Sequence, residues 1–219
     1  MPTPAACLFD LDGLLLDTEP IHGQAWLAAA ASFGTTLSPA QLLQLRGRRR
    51  HDCARQVLAW IAEAGQQCGG VESLLAVRQP LAETLLARAP AMPGAASLIR
   101  HCHALAIPMA LATSSSRSAV EHKAAPHPWL SLITVRVHGD DPELLAGKPA
   151  PDVYLLAAAR LGVDPRHCWA FEDSLAGALA AAAAGCRLHV LCPAEGAAVS
   201  REGFPAEAIW LEDLTQLRI

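Results

Sequence analysis

The sequence is poor in charged residues and has no basic excess. Charged residues make up 17% of its 219 positions, lysine occurs only twice, and the formal net charge is −4. A nucleic-acid-binding surface needs a basic excess or a basic stripe. The densest basic stretch is the short run Arg46, Arg48, Arg49 and Arg50. We therefore expect no nucleic-acid partner.

The sequence also lacks paired cysteines and long apolar segments. Its seven cysteines include no C-x-x-C pair, so we expect neither a disulfide framework nor a zinc site, and reduced thiols are typical of the cytoplasm. The first residues carry no basic stretch, and Asp10 interrupts the first apolar run. We expect no signal peptide, no membrane span and a cytoplasmic monomer or weak oligomer.

Short apolar runs alternate with helical stretches over most of the chain. Such runs, ending in polar residues, are typical of buried strands, and their alternation with helices predicts an α/β fold with a parallel sheet in a three-layer, Rossmann-like core. The predicted strands are Ala5 to Phe9, Ile107 to Ala112, Trp169 to Phe171, Arg187 to Leu191 and Ala208 to Leu211. The predicted helices around them are Gly94 to Leu105, Pro151 to Leu161 and Leu175 to Ala184.

Residues 19–90 have a different pattern, with helical periodicity and no convincing strand. Pro20 on one side and Pro90, Pro93 and Gly94 on the other suit two hinges. The sequence thus predicts an inserted all-helical domain, called the cap below, at 19–90. The catalytic core would comprise 1–18 and 91–219.

Polar side chains follow the predicted strands, where an open parallel sheet binds its ligands. Asp10 and Asp12 follow the first strand. The others are Thr113, Ser114, Lys148, Glu172 and Asp173. Neighbouring carboxylates resist joint ionisation unless a cation intervenes, and hard oxygen ligands favour Mg²⁺. Hydroxyl groups and a lysine suit phosphate oxygens. The pattern therefore predicts a phosphoryl-transfer site for a small phosphorylated metabolite.

Four segments resemble the motifs of the haloacid dehalogenase superfamily. They are Phe9-Asp10-Leu11-Asp12-Gly13, Leu111-Ala112-Thr113-Ser114-Ser115, Gly147-Lys148-Pro149 and Phe171-Glu172-Asp173-Ser174. The resemblance implies that Asp10 is a nucleophile forming an aspartyl-phosphate and that Asp12 is a general acid and then a base. It implies that Thr113 and Lys148 bind phosphate; Ser114 is expected to do so because its hydroxyl follows the same strand end. It also implies that Asp10, Asp12 (through its backbone carbonyl) and Asp173 hold Mg²⁺, with Glu172 in support.

The stretches Ala91-Met92-Pro93-Gly94 and Gly139-Asp140-Asp141-Pro142-Glu143 resemble pseudouridine-5'-phosphatases and glycerol-3-phosphate phosphatases. This resemblance implies hydrolysis of small phosphomonoesters of the nucleotide, polyol or sugar type. Two alternatives remain open. One is a mutase resembling β-phosphoglucomutase, with His22 and Arg50 of the cap contacting substrate; the other is a catalytically silent binding scaffold. Thr18 and Glu19 are expected to cap the first cap helix.

Overall fold

The computed structural model describes residues 3–192 and 201–217 and contains a six-stranded, fully parallel sheet. Its strand order is β3-β2-β1-β4-β5-β6. The strands are β1 (Ala6–Phe9), β2 (Met109–Ala112), β3 (Val135–Val137), β4 (Cys168–Glu172), β5 (Arg187–Leu191) and β6 (Ile209–Leu211). The predicted α/β class is confirmed. The central strand β1 lies between β2 and β4, with Leu8 level with both Ala110 and Ala170.

Eight α-helices accompany the sheet in the described residues. They are α1 (Glu19–Ser32), α2 (Pro39–Leu45), α3 (Arg50–Glu63), α4 (Val71–Leu86), α5 (Ala95–Ala104), α6 (Arg117–Ala124), α7 (Asp152–Leu161) and α8 (Leu175–Ala183). The strand β3 was not predicted, because it has only three residues and Arg136 interrupts its apolar pattern. The bounds of α6 were not predicted either, since few apolar residues mark it.

Alternate residues of each buried strand face opposite layers of the core. In β1, Cys7 and Phe9 pack in the cluster formed with α5 and α6, whereas Ala6 and Leu8 pack in the cluster formed with α7 and α8. Side chains alternate along a strand with a period of two, so a strand buried on both faces becomes a continuous apolar run. The sheet is therefore the middle of three layers, and its strand ends are fixed from both sides.

The helices α1 to α4 lie between β1 and β2 in the chain and have a hydrophobic cluster of their own. Trp26 of α1, Val57 and Trp60 of α3 and Leu74 of α4 belong to it. No strand occurs in the described part of this segment. The division into a core and a cap at residues 19 and 90 stays a prediction.

The cap segment touches the core through the loop between α2 and α3. Ser114 Oγ donates a hydrogen bond to the Gly47 carbonyl oxygen at 2.7 Å. Gly47 has a φ of +72°, and a Cβ at this position would collide with Ser174 Oγ. A residue with a side chain would meet both backbone strain and a clash there. Gly47 thus permits the close approach of this loop to the strand ends.

Candidate active site

The candidate site lies at the carboxyl ends of β1, β2 and β4. Asp10 directly follows β1, and its backbone N–H donates to the Phe171 carbonyl oxygen at 3.1 Å. Thr113 directly follows β2, and its N–H donates to the Val137 carbonyl oxygen at 3.1 Å. Because these bonds continue the ladders of the sheet, the backbones of both residues are held by neighbouring strands. The sheet therefore sets the positions of the predicted nucleophile and of the predicted phosphate ligand.

A buried ion pair joins Lys148 to two of the predicted site residues. Lys148 Nζ donates to Asp10 Oδ1 at 2.6 Å and to Glu172 Oε1 at 2.5 Å. The Tyr154 hydroxyl donates to the same Glu172 oxygen at 2.5 Å. Although burial lowers the pKa of Lys148, the charges of Asp10 and Glu172 raise it above its usual value. Lys148 is thus a permanent cation in contact with the Asp10 carboxylate.

Asp10, Glu172 and Asp173 form an acidic cluster that could hold a metal ion. One carboxylate oxygen of each lies within 4.8 Å of the others. Both oxygens of Asp173 are buried without a hydrogen-bond partner, which costs free energy unless a cation is bound. Gly13, with a φ of +79°, passes so close that a Cβ would collide with Asp173 Oδ2. These residues fit a hard divalent cation with oxygen ligands.

The carboxylates of the cluster repel one another without such a cation. Lys148 forms ion pairs with Asp10 and Glu172 but not with Asp173. Burial, together with the charges of Glu172 and Asp12, raises the pKa of Asp10 to about 7 despite Lys148. Burial and neighbouring carboxylates also raise the pKa of Asp173 well above its usual value despite Arg46. A divalent cation would offset this repulsion between the carboxylates.

Asp12 turns its carboxylate away from this cluster and toward Lys123. Lys123 Nζ donates to Asp12 Oδ1 at 2.5 Å and to Oδ2 at 2.6 Å, and Ser115 Oγ donates to Oδ2 at 2.7 Å. Although burial raises the pKa of Asp12, the Lys123 charge and the His22 contact lower it well below its usual value. Asp12 is therefore held as a carboxylate. The Asp12 carboxylate is thus not among the acidic groups that surround the possible metal position.

The predicted side-chain cap of the first cap helix is wrong for Thr18. Thr18 occupies the N-cap position of α1, but its side chain makes no capping hydrogen bond. The backbone of Thr18 is helical, with a φ of −101° and a ψ of −15°, rather than the extended backbone of a capping residue, and its hydroxyl donates to Asp12 Oδ1 at 2.7 Å. Glu19 begins the helix and accepts a hydrogen bond from Arg46 Nε at 2.8 Å.

His22 connects Asp12 to the cap helix α4. Arg78 NH2 lies 2.7 Å from His22 Nδ1, and His22 Nε2 lies 3.3 Å from Asp12 Oδ1. A guanidinium can only donate, so Nδ1 accepts and the imidazole proton sits on Nε2, directed at Asp12. The buried Arg78 side chain also packs over the Trp26 ring, with its Cζ 4.7 Å from the ring centroid. The cap therefore sets the tautomer of His22.

A cavity of about 1200 Å³ opens between the strand ends and the cap segment. Asp10, Asp12, Thr113 and Asp173 line it from the core, and the run Arg46 to Arg50 lines it from the cap. The arginines differ in their contacts. Arg46 pairs with Glu19, and Arg49 NH2 donates to the Leu144 carbonyl oxygen at 3.2 Å. Arg50 Nε is buried without a hydrogen-bond partner. Ser114 lines the cavity, but its hydroxyl already donates a hydrogen bond to the Gly47 carbonyl oxygen.

A family model matches most of the chain. Residues 4–185 match the haloacid dehalogenase-like hydrolases. The chain belongs to this family. The resemblance stated from the motifs is confirmed, and with it the prediction of a hydrolase.

Relatives of this haloacid dehalogenase-like hydrolase are named phosphatases. The chain is 40% identical over 190 residues to the probable pseudouridine-5'-phosphatase of Drosophila melanogaster, covering 82% of this chain and 78% of that protein. It is 36% identical over 183 residues to (DL)-glycerol-3-phosphatase 1, mitochondrial, of Arabidopsis thaliana, covering 81% and 60%. CbbY from Rhodobacter sphaeroides, solved as a mutant in complex with xylulose-(1,5)bisphosphate, gives a TM-score of 0.78 at 27% identity, covering 98% and 96%.

Three residues of this hydrolase escaped the sequence prediction, namely Lys123, Tyr154 and Arg78. Each is a polar residue on the buried face of its helix. Lys123 shares that face with Val120, Tyr154 with Val153 and Ala157, and Arg78 with Leu74 and Ala82. A polar group inside an apolar stripe needs a partner, and this signal could have found all three.

No described helix is long and apolar enough to cross a membrane.

Proposed function

We propose that this protein is a Mg²⁺-dependent phosphatase that hydrolyses small phosphate monoesters of the nucleotide, polyol or sugar type through an aspartyl-phosphate on Asp10. The observation that carries the proposal is the acidic cluster of Asp10, Glu172 and Asp173, of which Asp10 and Asp173 line the cavity. Phosphoryl transfer depends on positioning and charge stabilisation, and both are present here. The seven free thiols support a cytoplasmic protein.

The residues divide the reaction into two steps. In the first step an oxygen of Asp10 forms a bond to phosphorus, the ester P–O bond breaks, and Asp12, after taking up a proton when the substrate binds, gives that proton to the leaving oxygen. In the second step the Asp12 carboxylate takes a proton from water, whose oxygen attacks phosphorus and releases Asp10. The structure holds Asp12 as the carboxylate, the form that the second step needs. Thr113 would bind the phosphate oxygens.

Asp10, Asp173 and the backbone carbonyl of Asp12 would hold the magnesium ion, with Glu172 in support. When bound, the ion would offset the mutual repulsion of these carboxylates and attract the phosphate group to Asp10. Residues of the cap would determine which substrate binds. His22 and Arg50 would contact the part of the molecule that carries the phosphate, because a guanidinium without a partner suits an anionic or hydroxylated group.

A panel of phosphate monoesters tests the proposal. Pseudouridine 5'-phosphate, glycerol 3-phosphate and hexose phosphates are each incubated with the protein and Mg²⁺, with and without excess chelator, and released phosphate is measured. We expect release from at least one of them and its loss with chelator. Isomerisation of β-glucose 1-phosphate without phosphate release would instead identify a mutase, and release unaffected by chelator would contradict the metal site.

Magnesium should stabilise the protein more at high pH than at low pH. The folded, metal-free protein keeps a proton on Asp10 up to about pH 7, whereas the unfolded chain loses it near 3.8. The free energy of unfolding of the metal-free protein therefore falls as the pH rises between these two pKa values, because the folded state resists losing the proton. A bound metal must displace such protons from the buried carboxyls. Saturating Mg²⁺ should raise the melting temperature by roughly 5–10 °C at about pH 8 and by much less at about pH 5.5.

The matched control for this melting experiment is Asp173→Asn, which removes a carboxylate whose two oxygens have no hydrogen-bond partner. We expect this variant to fold and to show no magnesium-dependent shift at either pH. A shift of the same size at both pH values would show that Asp10 and Asp173 do not exchange protons for the metal.

A further inference from the structure

Lys123 is a fully buried cation that the family motifs do not include. It is 1% exposed, and its ammonium contacts both oxygens of Asp12 and Ser115 Oγ, the last at 2.8 Å. Burying an ammonium is costly unless strong acceptors surround it, so an apolar side chain would be the less costly occupant of this face of α6. Lys123 is one of only two lysines in the sequence.

The position of Lys123 connects Asp12 to the loop that carries Thr113. Ser115 Oγ donates to Asp12 Oδ2 and accepts from Lys123, so the three groups form a closed triangle. The loop and α6 follow β2 directly, and Ser116 caps the helix by accepting from the Ala119 N–H. A displacement of Lys123 would therefore move Asp12 relative to the phosphate-binding loop. In the described part of the chain, Lys123 is the one lysine or arginine in contact with this carboxylate, and His22 approaches a single oxygen at the longer distance of 3.3 Å.

We propose that Lys123 is a positioning residue that holds the Asp12 carboxylate in place as the base of the hydrolytic step. This inference rests on the proposed function. Thr18 and His22 approach one oxygen of Asp12 from the cap side, and Lys123 with Ser115 fixes both oxygens from the core side. Without Lys123 the carboxylate loses the contact that fixes both oxygens, so the activation of water slows while the attack of Asp10 on phosphorus is left intact.

Rapid mixing of Lys123→Met with p-nitrophenyl phosphate tests this role. The p-nitrophenolate group leaves without protonation, so kcat/KM reports only the attack by Asp10, whereas kcat includes the hydrolysis of the aspartyl-phosphate. We expect a burst close to one p-nitrophenolate per active site and then a steady state slowed by about 10²-fold. The kcat/KM should stay within about threefold of the parent, because kcat and KM fall together.

Three further variants separate this role from a merely structural one. Glu121→Met, on the exposed side of α6, should behave as the parent. Ser115→Ala should give the same burst with a smaller slowing, and it replaces Lys123→Met if that variant does not fold. Adding Lys123→Met to Asp12→Asn should cause no further slowing, since the lysine acts through Asp12.

The outcomes distinguish this inference from the proposed function. A parent protein that releases no phosphate from any monoester would contradict the proposed function itself. An active parent with a Lys123→Met variant that shows no burst would overturn only the role of Lys123. An equal fall of kcat and kcat/KM, or further slowing in the double variant, would likewise overturn it.

Discussion

Asp10→Asn should lower the rate of phosphate release by at least about 10⁴-fold, because a carboxamide is a poor nucleophile and cannot form the aspartyl-phosphate. The side chain lies at the end of β1 with its backbone held by Phe171 of β4, so the substitution changes the chemistry and leaves the position intact. Folding should be preserved, since an amide oxygen can still accept from Lys148. Steady-state phosphate release on the best substrate of the panel, measured on protein with a parent-like melting temperature, is the relevant assay.

Asp164→Asn is the matched control for this substitution. Asp164 precedes β4, at the opposite edge of the sheet, and forms an ion pair with Arg166. Water screens an exposed pair of this kind, so it contributes little to stability, and turnover should not change. If Asp10→Asn kept more than about one hundredth of the parent rate, another group would have to be the nucleophile.

Lys148→Met should lower both turnover and stability. The ammonium is the sole described cation in contact with Asp10 and Glu172, and it is buried with them. Removing one partner of a buried pair leaves uncompensated charge and typically costs about 3–5 kcal/mol. The lost positive charge beside the transferred phosphoryl group should lower kcat by about 10²–10³-fold. Urea unfolding gives the first quantity and steady-state kinetics the second.

Arg100→Met, which removes an exposed cation from α5, should leave both quantities unchanged. The prediction for Lys148 fails if its variant unfolds at the same urea concentration as the parent, because the ammonium would then not offset the charges of Asp10 and Glu172. It also fails if turnover persists at the parent rate.

The sequence was sufficient to predict the groups that directly follow strands. Asp10 and Thr113 each adjoin a short apolar run, so local pattern and the rule for parallel sheets place them at one edge. Glu172 differs only in being the last residue of β4 rather than the first residue after it. These predictions succeeded because strand and functional group are neighbours in the chain.

The groups that support the site could not be predicted in the same way. Lys123 meets Asp12 across 111 residues of sequence, and Arg78 meets His22 across 56. Local periodicity marks these helix residues as buried polar groups, but the partner of each depends on how the helices pack on the sheet and on the cap. The contact of the cap loop with the core could not be predicted from local sequence either. Gly47 meets Ser114 and Ser174 only when the two parts of the chain come together.

The different roles proposed for Asp10 and Asp12 follow from the different groups that surround their carboxylates. Asp10 shares the acidic cluster with Glu172 and Asp173, and burial with the charges of Glu172 and Asp12 raises its pKa to about 7. Asp12 is only two residues away but faces Lys123, which lowers its pKa. Two carboxylates in environments that separate their pKa values can take different roles in one reaction. The proposed phosphatase therefore depends on long-range contacts as much as on its motifs.

Detection of a phosphoryl group on Asp10 tests the central claim most directly. The protein is mixed with Mg²⁺ and p-nitrophenyl phosphate, quenched in acid within the first turnover, and its peptides are analysed by mass spectrometry. We predict one phosphoryl group on the peptide that contains Asp10 and none in Asp10→Asn. Phosphate release without any phosphoryl group on that peptide, or with the group on another residue, would contradict the claim.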